Sequence, residues 1–211
     1  MLEQEVATRR DYARFDDFLD SLVGDVYPEF PSEPHLTITR LTIEQLHKDG
    51  MIGAGANVLD VGCGQGLALD HFRSLGMNPV GITLGPKDLE VCRSRGFEVH
   101  GMDQNFMDLP DSSFDLLWCR HVLEHSVAPL FTLSEYRRLV KPQGLVYIEV
   151  PPPDTSAHHE QNRNHYSVFP KSSWLNLMTR AGLTVLNAID LNFNVPCGPD
   201  TYWAFLLRRT A

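Results

Sequence analysis

Three groups of residues have types and spacings that suit chemistry. The first is Asp60-Val61-Gly62-Cys63-Gly64-Gln65-Gly66, where an apolar run ends in three glycines spaced by one residue. Glycine lets a chain turn tightly and bring bare backbone close to a ligand. A helix starting behind such a turn offers unpaired N–H donors to an anionic group. The second group is Cys119-Arg120-His121-Val122-Leu123-Glu124-His125. Histidine suits proton transfer because its ordinary pKa lies near about 6.5. His and Glu are also common metal ligands, and His121 and His125 would share a face if helical. The third is the polar segment 151–167, PPPDTSAHHEQNRNHYS, with His158, His159, Glu160, His165 and Tyr166. Its functional reading is substrate binding or proton removal, with a metal on His158, Glu160 and His165 as a further possibility. Its bland reading is a solvated loop.

The elements that must position these residues follow from periodicity. From Ala56 onward, apolar runs alternate with helical patterns. Strands are expected at Asn57–Val61, Pro79–Thr83, Glu98–His100, Phe114–Cys119 and Gly144–Val150, and two late strands near Thr184–Leu191 and Tyr202–Arg208. Helices fit Leu67–Leu75, Pro86–Arg95, Pro129–Val140 and Lys171–Ala181. Pro86 and Pro129 suit first-turn positions, and Gly76, Gly96 and Gly182 suit left-handed caps. This alternation predicts an α/β fold: a doubly wound, mostly parallel, seven-stranded sheet covered by helices on both faces. Trp174, Leu175, Leu177, Met178, Phe193, Trp203 and Phe205 read as core. The glycine turn and the histidine loop then both follow carboxyl ends of strands, the edge at which open α/β sheets bind ligands.

Residues 1–53 differ. Helical spacing runs from Gln4 to Val23, with Tyr12, Phe15, Phe18, Leu19 and Leu22 on one face, and again from Ile38 to Lys48. Prolines 28, 31 and 34 interrupt the two. This stretch reads as a helical cap or lid, too short to bury its own core, over a main domain at 54–211.

Composition excludes several classes. The 211 residues carry 18 Lys+Arg against 27 Asp+Glu, a formal net charge of −9, with no basic run. That argues against nucleic-acid partners and anionic membrane surfaces. The cysteines (Cys63, Cys92, Cys119, Cys197) form no C-x-x-C pair. The N-terminal MLEQEVATRRDYARFDDF is too charged for a signal-peptide core, so a cytoplasmic setting with reduced thiols is expected.

The glycine loop reads G-x-G-x-G, not the dinucleotide fingerprint G-x-G-x-x-G. VLDVGCGQG resembles the first motif of class I S-adenosylmethionine-dependent methyltransferases. DLPDSSFDLLWCRHVLEH followed by LSEYRRLVKPQGLVYIEVP resembles that family's later motifs in order and spacing. The resemblance runs from about Asn57 to Gly182 and implies a Rossmann-like methyltransferase fold with S-adenosyl-L-methionine as cofactor. It implies that Asp60, Gly62, Cys63, Gly64 and Gly66 line the methionine end and ribose. Thr83, beside Leu84, stands where the family usually has an acidic ribose ligand. Asp103, flanked by Met102 and Gln104, would meet the adenine, and Cys119 would lie near the methyl group. His121 is the expected catalytic base. The small-molecule acceptor is assigned to Tyr27, His125, His158, His159, His165 and Tyr166. HVLEH resembles the family's ordinary loop into the next helix, so no metal is expected. The implied activity is methyl transfer to a small or medium polar acceptor such as a sugar or secondary metabolite. The alternatives are a catalytically inactive, cofactor-binding partner subunit and, against the loop spacing, a nicotinamide-dependent oxidoreductase.

Overall fold

A computed structural model describes residues 12–22 and 33–210. Its helices are α1 (Ala13–Leu22), α2 (His35–Lys48), α3 (Leu67–Ser74), α4 (Pro86–Ser94), α5 (Pro129–Leu139) and α6 (Lys171–Arg180). Its strands are β1 (Asn57–Val61), β2 (Asn78–Thr83), β3 (Glu98–Gly101), β4 (Phe114–Arg120), β5 (Val140–Val150), β6 (Leu183–Val195) and β7 (Gly198–Arg209). Short 3-10 turns occupy Leu123–His125 and His159–Gln161. The strands form one sheet in the order β3-β2-β1-β4-β5-β7-β6. The first five pair in parallel, and β7 runs antiparallel to both β5 and β6. The order reverses between β1 and β4, which places a crevice beyond their carboxyl ends.

Period-two alternation distributes the apolar residues to both faces. Leu59, Val61, Leu117, Cys119, Val146 and Ile148 join α5 and α6 residues in one core layer, with Tyr136 and Trp174 fully buried. Val58, Leu116, Trp118, Leu145 and Tyr147 join Phe72 of α3 on the other face. Burial on both sides is what parallel strands with crossover helices require.

The α2 helix begins three residues before the expected Ile38. It is also more than a cover, because Ile43 and Leu46 are buried in the layer that holds Val58 and Trp118. The expected first helix survives as Ala13–Leu22; Tyr12 precedes it, and residues 4–11, Val23 and Tyr27 lie outside the described residues. The β6–β7 hairpin is longer than the apolar pattern predicts, pairing as far as Val195 with Gly198. Backbone hydrogen bonds carry it through polar Asn192, Asn194 and Asp200. Phe193, expected as core, is instead half-buried, with its ring centroid 4.7 Å from that of Tyr202. Trp203 is also half-buried, against the α5/α6 layer.

Candidate functional site

Two cavities open at the carboxyl edge of the sheet and share a wall made by Gly62, Gly64 and His121. The glycine turn supplies that wall through its backbone. Gly62 has φ +70°, and a Cβ there would fall 2.2 Å from Val122 Cγ2. Gly64 has φ +48°, and a Cβ there would meet nothing within 4 Å, so it would project into open cavity space. Gly66 lines neither cavity. Its φ is +84°, and its missing Cβ leaves room for Cys92 Sγ, 3.1 Å from where the Cβ would stand. Asp60, next to last in β1, is buried beside the turn, its Oδ2 without a hydrogen-bond partner among the described residues. Burial, reinforced by Cys92 and opposed by Arg120, pushes its carboxyl well above the ordinary range. Cys63 lines the second cavity, with its thiol pushed up by a hydrogen bond to Cys92 and by burial.

The first cavity lies over β2 and β3. Thr83, Leu84, Met102 and Asp103 line it, together with Leu19 and Leu22 of α1. Thr83 Oγ1 accepts from the Gly85 N–H at 3.2 Å, leaving its hydroxyl proton to donate. Asp103 Oδ1 accepts from the Asn105 backbone N–H at 2.6 Å and from its side-chain amide at 2.7 Å, which fixes the turn after β3. Asp88, in the first turn of α4, lines the same cavity and was not foreseen. Burial pushes its carboxyl up against a hydrogen bond from Gln65, and its Oδ1 is buried without a partner among the described residues. An acidic side chain thus lines this cavity five residues after Thr83, and its only signal in the sequence is an acid three positions past the Gly85 cap.

Gln104 lines this cavity with its amide committed at both ends. Nε2 donates to Val122 O at 2.8 Å, and Oε1 accepts from Tyr136 Oη at 2.7 Å. Tyr136→Phe leaves that buried oxygen unsatisfied and is expected to destabilise the chain by about 1–3 kcal/mol. A urea midpoint matching wild type would show that Gln104 finds another donor. Cys119 corrects the expectation placed on it. It is fully buried in the α5/α6 layer with Sγ 3.3 Å from Tyr136 Oη, and it touches neither cavity. Burial pushes its thiol to about 12. Arg120, the next residue, points to the opposite face because side chains alternate along a strand, and His121 lies beyond the end of β4, where its φ of +55° turns the chain.

The second cavity is polar and aromatic, lined by His35, Arg120, His121, His159, His165 and Tyr202. Its anchor is Glu149, fully buried near the end of β5 and paired in register with Arg120. Glu149 accepts from Arg120 Nη2 at 2.5 Å, from His121 Nε2 at 2.9 Å and from Tyr147 Oη at 2.9 Å. Burial alone would raise its pKa, but Arg120 and His121 outweigh burial and hold it below the ordinary carboxylate range. Arg120 also donates to Thr39 Oγ1 and to His35 O, tying α2 to the sheet edge. The ionised carboxylate only accepts, so His121 Nε2 carries a proton, and in the neutral ring the lone pair falls on Nδ1. Nδ1 stands 3.8 Å from Glu124 Oε1, beyond hydrogen-bond length. His121 holds φ +55°, a left-handed conformation uncommon outside glycine and concentrated at functional sites.

The histidine loop folds back over this edge. His125 Nδ1 donates to Asn164 O at 2.9 Å, and the Ser167 N–H donates to Glu124 O at 2.9 Å. The His125 and His165 ring centroids are 4.9 Å apart, and Tyr202 packs against His35, His121 and His159. Burial, with His125 and His159 beside it, holds His165 down at about 4. His159 Nε2 lies 3.0 Å from the buried Asp200 carboxylate of β7. His125 and Tyr166 line the first cavity rather than the second. His158 is the exception: it faces solvent, pairs with Glu160 at 3.5 Å and lines neither cavity, which corrects its assignment to the acceptor. Sequence reading missed His35, Glu149 and Tyr202 as well as Asp88.

A family model described as a methyltransferase domain matches residues 36–188. A ubiquinone biosynthesis O-methyltransferase from Xanthomonas oryzae pv. oryzae is 37% identical over 102 residues, 45% of this chain and 43% of that protein. The match thus spans under half of that curated relative's length. Among solved structures, the 1,6-didemethyltoxoflavin-N1-methyltransferase of Burkholderia thailandensis, with bound S-adenosylhomocysteine, has a TM-score of 0.69 at 18% identity over 100% of this chain and 94% of its own. A (4+2) cyclase, SpnF, has a TM-score of 0.71 at 18% identity over 95% of this chain and 94% of its own. Likeness at such identity is likeness of fold.

Proposed function

Because the chain belongs to the class I S-adenosylmethionine-dependent methyltransferase family, we propose that it moves the methyl group of that cofactor to a hydroxyl of a small or medium polar molecule. The observation that carries this reading is the shared wall: Gly62, Gly64 and His121 border a cavity lined by Thr83, Asp88, Met102 and Asp103 on one side and a polar, aromatic one on the other. The residues fit the cofactor. Gly64 leaves open space where a side chain would stand, and Asp60 Oδ2 and Asp88 Oδ1 are buried acceptors awaiting donors. Asp60 suits an ammonium and Asp88 a ribose diol, with Met102 and Asp103 at the base.

The bound cofactor supplies an activated methyl group, so the hard chemistry is its own. The chain's residues align the acceptor and exclude water, an effect worth roughly 7–11 kcal/mol in favourable cases. His121, held by Glu149 through Nε2, presents Nδ1 as proton acceptor for a hydroxyl, the arrangement of a base oriented by a carboxylate. His35, His159 and Tyr202 shape the acceptor side, with Thr39 of α2 beside them, while Leu19 and Leu22 of α1 cover the first cavity. The name of the Xanthomonas relative favours oxygen as the acceptor atom; sugars and phenols both present it. Buried reduced thiols at Cys63, Cys92 and Cys119 suit a cytoplasmic setting.

Calorimetry with S-adenosylmethionine and S-adenosylhomocysteine, followed by an S-adenosylhomocysteine release assay over sugar and phenol panels, tests the reading. Saturable binding and release with a hydroxyl acceptor support it. Binding without release across the panel would instead favour the non-catalytic partner, and NADH binding alone would remove the family's chemistry. Asp88→Asn is expected to weaken S-adenosylhomocysteine about tenfold through loss of a charge-assisted acceptor. Thr83→Ala should matter less, and the reverse order would return the ribose contact to Thr83.

A further inference from the structure

We propose that Glu124, His125 and His165 form a site for a first-row divalent cation, which the sequence did not lead us to expect. One ligand atom from each lies within 4.8 Å of the others, bringing the 3-10 turn after β4 against the histidine loop after β5. Ligands about 2.0–2.2 Å from a tetrahedral ion stand roughly 3.4 Å apart, so side-chain rotation of about an ångström closes the set.

The hydrogen bonds prepare the donors. His125 Nδ1–H donates to a backbone carbonyl, Asn164 O, which places the lone pair on Nε2. That is the arrangement of metal-bound histidines, whose second nitrogen is held by an acceptor. His165 Nδ1 is buried and has no hydrogen-bond partner among the described residues. Its Nε2 sits 3.2 Å from the Asn162 side-chain amide. Turned over, at the loss of the long 3.5 Å bond that Asn162 Oδ1 accepts from the Asn164 N–H, that amide accepts from Nε2–H and leaves the Nδ1 lone pair for an ion. The Glu124 carboxylate completes the set from a buried position. Two imidazoles and one carboxylate are the donor set of catalytic zinc sites, which keep a fourth position open. The three residues border the cavities, His125 on the first and Glu124 and His165 on the second, so that position faces the acceptor's space. A hydroxyl or phenolate oxygen has the chemistry to fill it.

The test uses the full chain stripped with chelator, titrated with zinc by calorimetry and, separately, with cobalt by visible absorption. The expected result is one zinc per chain and tetrahedral cobalt bands. His165→Ala should weaken zinc at least tenfold and abolish the bands, while His158→Ala, outside both cavities, leaves both unchanged. Because Glu124 is buried, the loop variant carries the test and His125→Ala repeats it from the other element. Absence of saturable zinc binding, or zinc affinity indifferent to His165→Ala, overturns the proposal. A parallel S-adenosylhomocysteine titration of the same samples reports the cofactor cavity separately, so failure of the cation site and failure of the methyl-transfer reading are distinguishable.

Discussion

Gly64→Val is expected to fold and yet to lose S-adenosylhomocysteine affinity by more than about a hundredfold, a change of roughly 2.7 kcal/mol. A Cβ at Gly64 meets no protein atom within 4 Å, so the new side chain has room in the protein but occupies the shared wall of the two cavities. The backbone exacts a separate cost, because φ is +48° and a left-handed L-residue is penalised by about 1–2 kcal/mol. For a chain of this length that lowers the melting temperature by about 2–8 °C. Gly96→Val separates the two effects: its φ is +74°, its Cβ also meets nothing within 4 Å, and it lies past α4, away from both cavities. The two variants should melt alike, and only Gly64→Val should fail to bind. Wild-type affinity in folded Gly64→Val would remove the glycine turn from the ligand site and the functional reading with it.

What the sequence disclosed follows from the range of the interactions involved. The glycine turn was legible because its signals are local: an apolar run, an alternate-glycine spacing and a helical pattern behind it. The five parallel strands were legible because burial on both faces leaves near-continuous apolar runs. The far end of the β6–β7 hairpin was not, since pairs such as Asn192 with Thr201 join by the backbone ladder and a side-chain hydrogen bond, neither of which leaves an apolar pattern. Cys119 was drawn into the site by adjacency to Arg120 and His121, when strand alternation sends it to the core. Adjacent His158 and His159 part company for a long-range reason, as only His159 meets Asp200, 41 positions away. Glu149 was the largest omission. Its trace was a single acid inside the apolar run VYIEV, and its meaning depends on β4 delivering Arg120 and His121 to it.

That last pairing carries the second large prediction. His121→Ala is expected to lower turnover by about 10²–10⁴-fold, the usual contribution of a positioned base, while S-adenosylhomocysteine affinity changes less than about threefold (roughly 0.65 kcal/mol). Glu149→Gln should lower turnover too, because the neutral amide no longer fixes Nε2–H as the donor. It should also destabilise the fold by about 3–5 kcal/mol, since Arg120 is left as an uncompensated buried charge. The acid limb distinguishes this electrostatic origin from simple packing loss. Glu149 is held below its unfolded pKa, so its stabilising contribution is present above the ordinary carboxylate range and fades as pH falls through the depressed folded value. The stability gap between wild type and Glu149→Gln should therefore be widest near neutrality and narrow in acid. A gap independent of pH would mean that shape, not charge, holds the carboxylate there. Undiminished turnover in His121→Ala would mean that the acceptor loses its proton to another group, or arrives without one.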